Sequence, residues 1–151
     1  MINSNWDREL KKWLGVRLSP LVLESSTDAG TMKTFALGHA TQTPVLLLSY
    51  EMMRKHQSAL NDIESLDLII LDEAHRFLKN SSGTKTSAAL GACKATKRLI
   101  LTGTPLQNSL DELYAVVSFV APRLFGSLGN FKRQFETPIL RGKSEGASEK
   151  D

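Results

Sequence analysis

Three apolar runs organise the chain, and none of them alternates with polar residues. They are "PVLLLSYE" (Pro44 to Glu51), "LDLIILDE" (Leu66 to Glu73) and "KRLILTGTP" (Lys97 to Pro105). Alternation marks a strand with one wet face, whereas unbroken runs of this length mark strands buried on both faces. "PLVLES" (Pro20 to Ser25) predicts a further short strand, and the stretches 51–60 and 86–93 read as helices between the runs. Strand, helix, strand, helix, strand at this spacing predicts an α/β fold: a three-layer, mostly parallel sheet with flanking helices and right-handed crossovers. At the start, "SNWDRELKKWLG" predicts a helix with Trp6, Leu10, Trp13 and Leu14 on one face, Ser4 or Asn5 as cap and Gly15 as stop. The clearest helix is "NSLDELYAVVSFVAP". It offers Ser109 and Glu112 as a capping box, Leu110, Leu113, Val117 and Val120 as buried stripe, and Pro122 as end. "LGNFKRQFETPIL" predicts another short helix. Residues 25–44 are rich in Ser, Thr and Gly and carry the weakest pattern, with a helix expected around Met32 to Leu37. There is no internal repeat. The pattern divides the chain into a domain at 1–140 and a polar tail at 141–151, which its mixed charge marks as disordered.

Composition narrows the class without changing that picture. The 151 residues, 41% hydrophobic and 23% charged, suit one ordinary globular domain. No apolar run approaches the roughly 18 residues of a membrane span, and "MINSNWDREL" lacks the basic-then-apolar order of a signal peptide. The single Cys93 rules out an intrachain disulfide, fits a reducing compartment and reads as a small buried residue on a helix. Net charge is only +3. Its distribution says more. No acidic residue lies between Glu73 and Asp111, while Arg76, Lys79, Lys85, Lys94, Lys97 and Arg98 all do. Such a stretch could follow a phosphate backbone, although a solvated basic face accounts for the charge equally well.

Chemistry concentrates at the strand ends. In an open parallel sheet, ligands bind beyond the carboxyl ends of the strands. All three runs end in polar residues: Ser49-Tyr50-Glu51, Asp72-Glu73-Ala74-His75 and Thr102-Gly103-Thr104-Pro105. A bare Asp-Glu pair is more often a solvated turn. An apolar strand closing on Asp72-Glu73 with His75 after it, beside two other polar strand ends, matches the pattern in which Asp holds magnesium, directly or through water, and Glu orients the attacking water. His39 and His56 have no partners at metal-ligand spacing, which argues against zinc, and no G-x-S-x-G elbow is present. A triphosphate cradle would read G-x-x-x-x-G-K-[ST]. "TPILRGKS" (Thr137 to Ser144) has Thr at the first glycine position and follows no buried strand, and in "SGTKTS" (Ser82 to Ser87) Thr84 separates glycine from lysine. Both read as ordinary loops.

Asp72-Glu73-Ala74-His75, followed about thirty residues later by "LTGTPLQN" (Leu101 to Asn108) and then by "LDELYAVVSFV", resembles the Snf/Swi-type DNA translocases of helicase superfamily two. "SNWDRELKKWLG" resembles the segment after motif Ia of that group, "VLLLSYE" its motif Ib, and "FKRQFETPILRGKSEGASEKD" its eukaryotic recombination-repair branch. That branch often has Gly where this chain has Ala74, a departure within the branch only. The resemblance implies part of the first RecA-like lobe of an ATP hydrolase, a helicase-like motor on double-stranded DNA in recombination, repair or chromatin remodelling. It implies ATP and Mg2+ as cofactors. Asp72 and Glu73 become the magnesium and hydrolysis carboxylates, and Ala74 and His75 complete motif II. Thr102, Gly103, Thr104, Pro105, Gln107 and Asn108 become the motif III residues that couple the nucleotide site to DNA. Ser49, Tyr50, Arg76 and Lys79 are placed nearest the DNA backbone. A RecA-like recombinase or nucleosomes are implied partners, with no membrane, and the nucleus as location.

The chain departs from the family by starting after the Walker A segment and ending before the second RecA-like lobe. The motif III strand "RLILT" is therefore expected to have an open edge and exposed apolar surface. The isolated chain is expected to be marginally stable, aggregation-prone and without ATP hydrolysis. One competing reading is an ATPase-dead module that keeps only DNA or recombinase contact, with Arg76 to Arg98 as its working surface. A restriction motor subunit is a weaker reading, which "LTGTPLQN" argues against.

Overall fold

The computed structural model describes residues 2–24, 30, 32, 35, 45–63, 66–74, 85–103 and 109–143. They form an α/β fold of parallel strands and helices in two compact units, residues 1–66 with 88–95 and residues 67–87 with 96–151.

In the first unit, α1 (Ile2–Leu14) ends at Gly15, whose φ of 57° leaves the helical region at a position where glycine has no Cβ to clash. The helix begins before Ser4 and Asn5, so neither is its cap. Trp6, Leu10 and Leu14 are half-buried, but Trp13 is 70% exposed. Its indole N–H bonds Glu9 at 3.1 Å and the Lys12 ammonium lies 5.2 Å from its ring centre, so the side chain folds along its own helix instead of inward. After a 3-10 turn (Gly15–Arg17), β1 (Leu21–Leu23) pairs in parallel with β2 (Leu46–Leu48), Val22 opposite Leu47. Met32 and Phe35, the described residues of the helix expected around Met32 to Leu37, are helical, as is Gly30 before them. The helix expected over 51–60 is two: α2 (Tyr50–Lys55) and α3 (Gln57–Asn61), separated where His56 turns to φ −105°, ψ 21°. Leu23, Met32, Met52, Met53, Leu60, Ile63, Leu90 and Cys93 are the large buried residues of this unit. Cys93 is buried as expected, one residue beyond the helix α4 (Lys85–Ala92).

In the second unit, β3 (Leu68–Asp72) pairs in parallel with β4 (Lys97–Leu101), Ile70 opposite Leu99 and Asp72 opposite Leu101. Among the described residues β4 has no neighbour on its other edge, and Leu68, Ile70 and Leu99, which share one face, are 44%, 49% and 44% exposed. This is the open, apolar strand surface expected for "RLILT". The other face packs on α5 (Leu110–Val120), whose cap is as read: the Ser109 hydroxyl accepts from the Glu112 N–H at 3.3 Å. The buried positions of α5 are Glu112, Ala115 and Phe119, whereas Leu110, Leu113 and Val117 are half-buried and Val120 is exposed. The helix is apolar on nearly every side, so periodicity alone did not orient it.

The last helical run contains α6 (Leu128–Phe131), a widened π turn (Lys132–Glu136) and α7 (Thr137–Gly142). Pro138 stands in the first turn of α7, where a missing N–H is best tolerated. Phe131 is the hub here, 1% exposed, with the rings of Tyr114, Phe125 and Phe135 centred 5.2, 5.0 and 5.6 Å away. The Tyr114 hydroxyl donates to the Gly126 carbonyl at 2.9 Å. Lys132 lies 3.2 Å from Asp111 and 3.7 Å from Glu136. The hydrogen bond to Asp111, then the charges of Asp111 and Glu136, raise its pKa above the ordinary lysine value.

Candidate nucleotide site

Because β3 and β4 are parallel, their carboxyl ends open at one edge of the second unit. Asp72 closes β3 opposite Leu101, and the Glu73 N–H continues the ladder by bonding the Leu101 carbonyl at 2.8 Å. The chain then leaves the sheet through an uncommon conformation. Glu73 has φ of 52°, in the left-handed region that an L side chain occupies at a penalty. Its carboxylate reaches across to β4's exit: Oε1 lies 4.0 Å from where a Cβ on Gly103 would stand. Asp72, Glu73 and Thr102 are half-buried, each engaged in a polar or charged interaction, and Gly103 is exposed. Ala74 is fully buried.

The register thus brings Asp72 and Glu73 beside Thr102 and Gly103. His75, Arg76, Lys79, Thr104, Pro105, Gln107 and Asn108 lie outside the described residues. Ser49 and Tyr50 stand at the carboxyl end of β2 in the first unit. The Ser49 hydroxyl accepts the Met52 N–H at 3.2 Å, which caps α2, and Tyr50 is half-buried.

The donors at the β3–β4 edge are two carboxylates and a threonine hydroxyl, all hard oxygens. Among the described residues no group of three or more His, Cys, Asp or Glu could hold a metal ion. An all-protein cage is therefore not built from them. That donor set fits magnesium, which keeps several waters and is held through one or two carboxylates plus phosphate oxygens.

Arg98 corrects the reading of the basic stretch. Lys85, Lys94 and Lys97 are exposed, but Arg98 is half-buried, with its guanidinium 4.7 Å from the centre of the Phe119 ring and Nη1 donating to the Phe119 carbonyl at 3.1 Å. It packs against α5 and is no part of a solvated basic surface. A charged residue inside an otherwise apolar strand run was the available signal.

The family described as SNF2-related domain matches residues 1–150. A DNA repair and recombination protein RAD54-like from Drosophila willistoni is 40% identical over 97% of this chain and 19% of its own length. Protein CHROMATIN REMODELING 25 from Arabidopsis thaliana is 40% identical over 98% of this chain and 16% of its own length. The chain therefore spans less than a fifth of the curated relatives it matches. Among solved structures, the Sulfolobus solfataricus SWI2/SNF2 ATPase core in complex with dsDNA aligns with a TM-score of 0.70 and 29% identity, over 93% of this chain and 27% of that one.

Proposed function

We propose, from the premise that the chain belongs to the SNF2-related domain family, that it is the part of an ATP-dependent double-stranded DNA translocase that carries the hydrolytic carboxylates and the loop coupling them to DNA. The observation that supports this reading best is the parallel register of β3 and β4, with Glu73 bonded to Leu101 and its carboxylate beside Gly103. Bound magnesium would supply charge neutralisation to the β- and γ-phosphate oxygens of ATP. Asp72 would hold it, directly or through water, and Glu73 would orient and accept a proton from the attacking water. Thr102 and Gly103, with Thr104, Pro105, Gln107 and Asn108 beyond them, would form the coupling loop, and Ala74 and His75 would complete motif II. Ser49, Tyr50, Arg76 and Lys79 would lie toward the DNA backbone. Residues 1–140 would be the partial ATP-binding lobe and 141–151 a polar tail.

The names of the relatives support a setting in DNA repair, recombination or chromatin remodelling, and the Sulfolobus ATPase core in complex with dsDNA supports duplex DNA as a partner; a recombinase or nucleosomes as further partners and the nucleus as location belong to the proposal. No G-x-x-x-x-G-K-[ST] occurs in the 151 residues, and on this reading the triphosphate cradle would be supplied by residues outside them. The second reading, a module that keeps DNA contact without hydrolysis, rests on that same feature.

Substituting this chain for the matched segment of the Sulfolobus ATPase core tests the two. The translocase reading expects DNA-dependent ATP hydrolysis that falls at least about 100-fold in Glu73→Gln, the scale of losing a general base. A folded chimera that binds duplex DNA but hydrolyses nothing would favour the second reading.

A further inference from the structure

The contact between Arg98 and Phe119 has a geometry that simple packing does not need. Apolar contact between a helix and a strand is non-directional and tolerates sliding along the axis. A guanidinium half-removed from water is unfavourable unless it is hydrogen-bonded, but its planar fork fixes direction. Here the fork donates to the Phe119 carbonyl at 3.1 Å and lies 4.7 Å from the centre of the Phe119 ring. Phe119 stands in the last turn of α5, where carbonyls lack helical partners and the dipole favours a cation.

β4 leads into the segment 102–109 and α5 leads out of it. Five strand residues span about 17 Å and eleven helical residues about 16 Å, so the start of β4 meets the end of α5. Arg98 ties the two stems there. Their other ends are held by the Glu73 N–H on Leu101 at 2.8 Å and by the Ser109 cap at 3.3 Å.

We propose that Arg98 is a positioning residue that sets the axial register of α5 against β4 and hence the spacing between Thr102 and Ser109, the two ends of the segment 102–109. Its functional meaning rests on the proposed coupling role of that segment, but its test reads geometry and needs neither ATP nor DNA. Failure of the nucleotide reading would leave the result intact.

Hydrogen exchange followed by mass spectrometry on the 151-residue chain compares Arg98→Leu, Arg98→Lys and Phe119→Leu. Arg98→Leu should accelerate exchange in 99–103 and 110–116 by about tenfold or more, with 128–136 changed less than about twofold. Arg98→Lys keeps the charge and a donor but loses the planar stack, and Phe119→Leu keeps the carbonyl but loses the ring. Both should fall between, which preserves the test if Arg98→Leu unfolds. Equal acceleration of 128–136 would mean a general stabilising role, and acceleration confined to 117–121 would mean local fraying. Either result overturns the proposal.

Discussion

With the proposed hydrolytic carboxylate removed, glycine at position 73 should give a more stable fold than glutamine. Glu73 sits at φ 52°, and holding an L residue in the left-handed region costs about 1–2 kcal/mol. Glycine is free of that penalty but adds about 0.4–1 kcal/mol of unfolded-state entropy to be lost on folding. The ladder bond from the residue 73 N–H to the Leu101 carbonyl survives, because glycine keeps the donor. The net gain is about 0.5–1 kcal/mol. Glu73→Gln is the control, since it removes the charge and retains the strain. With a urea m-value of about 2 kcal/mol/M, Glu73→Gly should unfold about 0.2–0.5 M later than Glu73→Gln. The assay is urea denaturation followed by circular dichroism, at protein concentrations where light scattering shows no aggregates. A midpoint for Glu73→Gly at or below that of Glu73→Gln would refute the strain argument. The expected result would make this carboxylate one that is retained against the preference of its backbone, as functional residues often are.

Other parts of the structure give further tests. Phe131→Ala should destabilise the second unit by about 3–5 kcal/mol, read by urea denaturation, because three rings pack on a side chain that is 1% exposed. Ile70→Thr with Leu99→Thr should reduce association in sedimentation velocity at little loss of stability, since both side chains are nearly half-exposed on the open sheet face; unchanged association would place the aggregating surface elsewhere. The pKa of Lys132 is raised, chiefly by its hydrogen bond to Asp111, so the folded chain holds that proton more tightly than the unfolded chain. Its contribution is therefore complete below the ordinary value of 10.5 and lost as pH rises through the raised one. The stability difference between the unmodified chain and Lys132→Met should be flat from about pH 7 to 9 and shrink above about pH 10.5.

The elements that sequence reading located best were those whose signal is local. Each apolar run became a parallel strand, the Ser109 cap formed, and Gly15 ended the first helix, because an unbroken apolar run, a cap and a positive φ each leave a mark within a few residues; the burial on both faces expected of those runs did not follow, since Leu68, Ile70 and Leu99 leave one face of β3 and β4 exposed. What it misplaced depends on neighbours distant in sequence. The buried face of α5 runs through Glu112, Ala115 and Phe119 because β4 lies against it, and an almost wholly apolar helix cannot announce which side that is. Trp13 has helical spacing with Trp6 yet stays outside, held by Glu9 and Lys12 of its own helix. Arg98 counted toward a basic surface until Phe119 showed where its charge goes. Of the site, the carboxylates at the end of β3 were readable from an apolar run that stops on Asp-Glu. The left-handed turn at Glu73 and the approach of its carboxylate to Gly103 were not, since they depend on the pairing of β3 with β4.

As proposed above, Asp72 and Glu73 would form half of a nucleotide site, and the 151 residues contain no G-x-x-x-x-G-K-[ST] to cradle the triphosphate. Phosphate release by the purified chain, with ATP and magnesium, with and without duplex DNA, tests it most directly. No release above that of buffer is expected under either condition. Magnesium-dependent turnover that Glu73→Gln abolishes would contradict it, because the chain would then hold a cradle that its sequence does not reveal.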